Sequence, residues 1–224
     1  PEEGNLVTTE GVVTAVAFNG YYIQDPVGDG DLATSDAMFV FQFGGLPAVG
    51  DHLQLTDTVT ENVGGGCSTG NLSTTQMSFP TTVNLGKTDL HNPVVIGSSG
   101  RVPPNVVTIS DAAASEVGQI NLQPSFCPGG GDSKTFDPVN EGLDFYESLE
   151  GMLVTVQDTV AISATRTFSG FSSELFVLAD NGAGVAPTDA RTARGGINLQ
   201  PSLTNTGDQN PERVQIQFDG TLYP

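Results

Sequence analysis

The feature that most limits how this chain can fold is an Asn19-Gly20 pair between two runs of β-branched and aromatic residues. The first run covers residues 6–18 and the second begins at Tyr21, and both have the composition of strands. Asn-Gly is the strongest short-range signal for a two-residue hairpin turn. The sequence therefore predicts that the fold begins with an antiparallel β-hairpin.

Further short strands follow the hairpin. They are predicted near residues 38–43, 52–61 and 75–79, and the second of these alternates clearly between apolar and polar residues. Gly11, inside the first strand, fits the bend that a barrel corner requires. Five short strands in this arrangement predict a small OB-like β-barrel domain over residues 1–85.

The remainder of the chain is predicted to be a second β-rich region after a long connection. Residues 86–140 are rich in Pro, Gly, Ser and Asn and are predicted to form an irregular insertion. A short helix is expected within residues 140–150, ended by Gly151. Strand patterns then return, so residues 141–224 are predicted to form a second OB-like unit. The predicted fold class is all-β.

Charge narrows the range of partners. The formal net charge is −19, with 7 Lys and Arg against 26 Asp and Glu. Such a surface repels phosphate backbones and attracts divalent cations. No segment reaches the roughly 18–20 apolar residues of a membrane-spanning helix, so no membrane span is expected. The opening Pro1-Glu2-Glu3 is typical of a processed end or of the interior of a longer precursor.

Two cysteines bear on the location of the protein. Cys67 and Cys127 each adjoin a glycine run. In an acidic chain of this kind they predict one disulfide and a secreted or cell-surface location; the alternative is two free thiols inside the cell. Zinc is not favoured, because the chain has neither a Cys-x-x-Cys spacing nor a nearby histidine pair.

The densest polar cluster is the loop of residues 25–36, which we name the acidic loop. Oxygen ligands close together, with glycines that allow tight turns, are what Ca²⁺ needs. The alternative is a solvated turn in which Asp and Gly satisfy the turn geometry. The loop is not an EF-hand, since Val27 stands where the third ligand would be. The predicted calcium ligands are Asp25, Asp29, Asp31 and Asp36.

Three further groups of residues bear on function. Carboxylates recur every three residues at Glu141, Asp144, Glu147 and Glu150 and predict a solvated helix face. The two histidines are isolated and no nucleophile elbow or phosphate loop occurs, so no catalytic residue is predicted. A small nucleic-acid contact site combining basic groups and stacking rings is predicted, against the alternative of core packing and surface solvation. Its residues are Arg166, Phe168, Arg191 and Arg194.

Residues 19–40 carry a series of short motifs: Asn-Gly-Tyr-Tyr-Ile-Gln-Asp-Pro, then Gly-Asp-Gly-Asp, then Thr-Ser-Asp and an apolar run. With Val49-Gly50-Asp51 and residues 146–154, this pattern resembles the OB-like region upstream of the catalytic domain in bacterial extracellular nucleases. The resemblance covers about residues 5–220. It implies that a Mg²⁺-dependent nuclease domain would follow Gly220, and no nuclease active-site residue is carried over to this chain. The chain is either a fragment of a longer enzyme or a stand-alone relative of the accessory part.

Two hypotheses of function follow. The first is a secreted, non-catalytic accessory module, related to extracellular nucleases, that engages or positions extracellular DNA. The second is a self-assembling structural protein of the cell surface or extracellular matrix, stabilised by calcium.

Overall fold

A computed structural model describes residues 2–69, 71–105, 127, 136–168, 172–186, 190–198, 210–218 and 222–223. Strands dominate this part of the chain, which confirms the predicted all-β class. One α helix, α1, covers Gly142–Glu147. The strands are β1 (Leu6–Ala17), β2 (Gly20–Gln24), β3 (Ala37–Phe41), β4 (Asp51–Thr58), β5 (Thr60–Val63), β6 (Ser73–Ser78), β7 (Thr81–Lys87), β8 (Val94–Ile96), β9 (Val154–Val156), β10 (Val160–Ala161), β11 (Arg166–Thr167), β12 (Ser173–Leu178), β13 (Val214–Phe218) and β14 (Leu222–Tyr223).

The predicted hairpin organises the larger sheet. β1 and β2 pair antiparallel with Ala17 opposite Gly20, so the two turn residues are Phe18 and Asn19 and not the predicted Asn19 and Gly20. β1 is long enough to serve several partners: its first half pairs with β4, and its end pairs with β14. Gly11 lies where a side chain would crowd β2, because a Cβ there would approach the Cβ of Ile23 to 3.1 Å.

The larger sheet curls back on itself without closing into a barrel. Its order is β5-β6-β3-β2-β1-β4-β7, and β4 and β5 are separated in the chain by Val59 alone. The main-chain N–H of Val59 bonds the carbonyl oxygen of Asn5, and the strand is interrupted at this point. The structure therefore differs from the predicted barrel, which needs an uninterrupted strand here. The core inside the curl consists of Val13, Tyr21, Ile23, Val40, Leu53, Leu55, Val59 and Met77.

The second half has smaller sheets. β12 pairs with β10 and β11 on one side and with β13 on the other, while β8 and β9 form a separate parallel pair. The described part of residues 141–224, the region predicted to form a second OB-like unit, contains this four-stranded sheet. Its strands are two to six residues long, too short to wrap around a core. Phe145 of helix α1 and Leu149, which follows the helix, pack against Ile96.

The predicted disulfide is present. Cys67 and Cys127 are bonded, with their Cα atoms 5.5 Å apart. The bond links the connection between β5 and β6 to the segment predicted to be irregular. A disulfide is compatible with an extracellular location. In the part of the chain described, no helix has the length and apolarity to cross a membrane.

Candidate functional site: an acidic cleft

A cleft of about 1020 Å³ lies between the first half of β1, the acidic loop and the turn after α1. Apolar side chains of β1, β2 and β3 also line it, among them Val7, Ile23 and Met38. None of the described residues that line the cleft is Lys, Arg or His. The carboxylates that line it are Glu2, Glu10, Asp25, Asp29, Asp36, Glu147 and Glu150.

The aspartates of the acidic loop build the loop itself. Asp25 Oδ1 accepts the N–H of Val27 at 2.8 Å, and Asp29 Oδ1 accepts that of Asp31 at 2.7 Å. Such bonds to the backbone two residues later are the reason Asp is favoured in turns. The Asp31 N–H, helped by the Thr34 hydroxyl, holds the pKa of Asp29 below its usual value.

The other two predicted calcium ligands also have internal partners. Asp31 Oδ1 accepts the N–H of Ala33 at 2.9 Å, and Asp36 Oδ1 accepts the N–H of Asp29 at 3.1 Å. Among the residues described, no three His, Cys, Asp or Glu side chains are grouped as a metal site would require. Calcium binding by this loop therefore stays a prediction.

The acidic loop is fastened to the second half of the chain. The Ser35 hydroxyl donates to the carbonyl oxygen of Glu150 at 2.6 Å. The Arg101 guanidinium donates to the carbonyl oxygen of Leu32 at 3.2 Å and to the Ser148 hydroxyl at 2.8 Å. The same guanidinium lies 5.0 Å from the centre of the Phe145 ring. The two sides of the cleft are thus held together by fixed polar contacts.

Glu147 and Glu150 form the wall opposite β1. Burial raises the pKa of Glu147 to about 7, and the neighbouring carboxylates of Glu150, Glu61 and Asp144 add to the shift. Burial also raises the pKa of Glu150, although the N–H of Thr75, 3.3 Å away, partly opposes the effect. Both groups are therefore harder to ionise than exposed carboxyls, and a bound cation would favour their charged form.

The solvated helix face predicted for the carboxylates of Glu141, Asp144, Glu147 and Glu150 is wrong. Glu141 and Asp144 are buried, with 4 % and 8 % of their surface exposed, and Glu147 and Glu150 are half-buried in the cleft wall. The reason is that α1 lies between the two halves of the chain and has no fully solvated face. The spacing of three residues was the available signal, but it does not tell which elements cover a helix.

The residues predicted to contact nucleic acid fall into two places. Arg166 lies 4.7 Å from the centre of the Phe168 ring and 3.7 Å from a carboxylate oxygen of Glu174, and both Arg166 and Phe168 are exposed. Arg191 instead donates to the carbonyl oxygens of Asn181, Gly195 and Gly196, so its guanidinium holds a turn together. Arg194 is exposed in that turn.

These features define an all-β, disulfide-bonded protein with an acidic cleft of ligand size. Residues 95–224, more than half of the chain, match the family described as Domain of unknown function (DUF8508). The chain therefore belongs to the DUF8508 family. No curated protein matches the chain, and no solved structure matches it.

Proposed function

We propose that this chain is a non-catalytic, extracellular binding module that holds a cationic ligand in its acidic cleft. The observation that carries the proposal is the lining of the cleft, where seven carboxylates surround about 1020 Å³ with no basic group among the described lining residues. The disulfide supports an extracellular location.

Electrostatics favours a cation in this cleft. Each pair of carboxylates about 4 Å apart at a partly exposed site repels by roughly 1–4 kcal/mol, depending on the local dielectric. The raised pKa of Glu147 means that ionising this carboxyl in the cleft wall costs more free energy than ionising an exposed carboxyl. A ligand cation placed among these groups offsets the repulsion and restores the usual ionisation of the carboxyls.

The shape of the cleft favours an extended cationic ligand over a single metal ion. A Ca²⁺ ion needs six to eight oxygens at about 2.3–2.6 Å from one centre, whereas these carboxylates are spread over β1, the acidic loop and the turn after α1. The apolar side chains of Val7, Ile23 and Met38 in the lining suit the aliphatic stems of Lys and Arg side chains. The ligand class proposed is a basic peptide segment.

Fluorescence anisotropy with a labelled oligolysine peptide tests this proposal. The cleft variant is Glu147→Gln with Glu150→Gln. The matched control is Asp89→Asn with Asp158→Asn, which removes two carboxyl groups from exposed positions outside the cleft. We expect the cleft variant to bind about tenfold more weakly, or about 1.4 kcal/mol, and the control to bind like the wild type. Equal losses in both variants would show a nonspecific charge effect and reject the proposal.

A second candidate function is the engagement of DNA, as in the accessory region of the nucleases that the sequence resembles. The exposed Arg166 and Phe168, in contact at 4.7 Å, supply one cation and one stacking ring. A gel-shift assay with single-stranded and duplex DNA, with and without Ca²⁺, tests this function. Retention that Arg166→Ala with Phe168→Ala abolishes would support it, and no retention in any condition would exclude it.

A further inference from the structure

A row of aromatic side chains lies on the outer face of the larger sheet. Side chains alternate between the two faces of a strand, and Val40 of β3 is fully buried in the core. Its neighbours Phe39 and Phe41 consequently lie on the other face, and Phe43 continues the row beyond the strand. We name the full set the aromatic stripe: Tyr22, Phe39, Phe41, Phe43 and Phe79.

The rings of the aromatic stripe contact one another. The Phe41 ring centre lies 4.9 Å from that of Phe43 and 5.6 Å from that of Phe79, both in edge-to-face geometry. At the other end, Tyr22 packs 5.0 Å from Phe39, and burial together with the nearby charge of Glu150 raises the pKa of Tyr22. The Tyr22 end is thus covered by the second half of the chain.

The opposite end of the stripe is open to solvent. Phe43 is 57 % exposed and Phe79 is 59 % exposed. The contacts between the rings hold these Phe side chains in place. Their exposed apolar surface is in water, which is energetically unfavourable. This end therefore offers fixed ring surface to a ligand.

The backbone at Phe79 adds an independent observation. Phe79 has a φ of 54°, a conformation that is uncommon for residues other than Gly, Asn and Asp and strained for a bulky side chain. Its N–H bonds the carbonyl oxygen of Phe41 at 3.0 Å, which fixes the ring beside Phe41. Strained residues of this kind cluster at binding sites, where the strain serves to pre-organise the site.

We propose that Phe41, Phe43 and Phe79 form a stacking site for a neutral oligosaccharide. Exposed ring surface packs against the C–H face of a sugar, and neutral amides at the edge can bond its hydroxyls. Gln42 lies between Phe41 and Phe43 in the chain, and its main-chain N–H bonds the carbonyl oxygen of Asn19. Its side-chain nitrogen donates to the carbonyl oxygens of Gly44 and Gly45, so the oxygen of this amide is the atom that can accept from a sugar hydroxyl.

The charged groups near the aromatic stripe argue against a nucleic acid as its ligand. Single-stranded nucleic acids need cations beside the stacking rings to pair with phosphates. In the described part of the chain, the arginines that stack on rings do so at Phe145, Phe168 and Phe176, away from the stripe. Beside Phe79, the N–H of Ser78 donates to the carboxylate of Asp57 at 3.0 Å, so the charge at this position is negative. An uncharged ligand is compatible with these surroundings.

The exposed ring area argues against a second copy of the chain as the occupant of this site. An aromatic side chain offers at most about 150–250 Å², so two rings slightly more than half exposed offer roughly 200–300 Å² between them. A stable protein interface buries about 800 Å² on each partner. The patch is therefore too small for a dimer and matches one or two sugar units.

Affinity electrophoresis through gels that contain a soluble neutral glucan, laminarin or dextran, tests the site. The site variant is Phe43→Ala with Phe79→Gly, because glycine adopts the backbone conformation of residue 79 without strain. The control is Phe18→Ala, which removes a ring that is 62 % exposed and outside the stripe. Thermal melts of each variant show that the fold is kept.

We expect the wild type and the Phe18 variant to be retarded by at least one glucan, and the site variant to bind about tenfold more weakly. The Glu147→Gln, Glu150→Gln variant should bind the glucan like the wild type, which separates this site from the acidic cleft. Retardation by neither glucan, or equal retardation of the site variant, overturns the proposal. Binding of oligothymidylate that is lost in the site variant would assign the stripe to nucleic acid and also overturn it.

Discussion

The guanidinium of Arg101 donates a hydrogen bond of 3.2 Å to the main-chain oxygen of Leu32. Arg101 follows β8, and Leu32 lies at the tip of the acidic loop between β2 and β3. Because the same nitrogen also donates to Ser148 beside the Phe145 ring, one cation joins the loop to the turn after α1. The position of the loop, and with it the width of the cleft, depends on this side chain.

Replacing Arg101 by Lys should release the acidic loop. A lysine keeps the charge but is shorter in reach and lacks the planar guanidinium that stacks on the Phe145 ring while it donates to Leu32 and Ser148. We expect a loss of about 1–2 kcal/mol in the free energy of unfolding and faster amide exchange at Asp31 and Ala33. Hydrogen exchange and denaturant titration measure the two effects, with the exposed Arg194→Lys as control. Unchanged exchange in the loop would contradict this role of Arg101.

Glu147 should make the stability of the protein depend on pH. Its pKa is about 7 in the folded chain against an ordinary value of 4.5, so between these values the folded state binds more protons than the unfolded state. The stabilisation is complete below about pH 4.5 and is lost as the pH rises through 7. Glu147→Gln should equal the wild type near the lower limit and exceed it by about 1–3 kcal/mol at alkaline pH.

Denaturant titrations of wild type and variant at several pH values measure this difference. Asp158→Asn, an exposed position, removes the same charge and corrects for the general repulsion in a chain of net charge −19. A Glu147→Gln effect that is the same at every pH would show that the side chain titrates like an exposed carboxyl.

The disulfide should be a main source of stability. It closes a segment of 60 residues, and the chain-entropy relation gives about 4 kcal/mol for a loop of that length. We expect dithiothreitol to lower the free energy of unfolding by about this amount in the wild type. A Cys67→Ala, Cys127→Ala double variant should be weaker from the start and indifferent to dithiothreitol. Equal sensitivity of both proteins to the reductant would contradict the prediction.

Calcium binding by the acidic loop is open to a direct test. If the loop is a site, free Ca²⁺ at a hundredfold excess over Kd should add about 2.7 kcal/mol to the free energy of unfolding. Asp29→Asn with Asp31→Asn should abolish the gain, because the amide oxygens keep the turn bonds while the charges are lost. Sedimentation in the same buffers reports whether Ca²⁺ drives self-assembly. A melting temperature indifferent to both Ca²⁺ and chelator ends the proposal.

Local signals predicted local structure well. The Asn19-Gly20 pair located the β1–β2 hairpin to within one residue of its turn, whereas the short helix, predicted to end at Gly151, ends at Glu147 with Ser148 as its C-cap. The parallel pair of β8 and β9 was missed, because three-residue strands carry no usable alternation and their partners are far apart in the chain. A closed barrel was predicted where the structure has an open sheet, because no sequence signal marks the interruption at Val59.

The candidate site was harder to predict than the fold. The acidic loop was recognised from its composition, but its function as one wall of a cleft depends on Glu147 and Glu150, more than a hundred residues later. Tyr21 and Tyr22 are equivalent in the sequence, yet Tyr21 is 1 % exposed in the core while Tyr22 joins the aromatic stripe. Only the strand register decides which of the two faces outward.

The pairing of β1 with β14 sets a condition on how the protein reaches its native state. Val16 is hydrogen-bonded in register with Tyr223, so strands from nearly opposite ends of the sequence meet. Pairings of such separation close a very long loop and slow folding. During synthesis or export the end of β1 has one edge unpaired until Leu222 and Tyr223 have emerged. Refolding from denaturant should accordingly be slow, and pulse-labelling should show amide protection at Val16, the partner of Tyr223, arriving last.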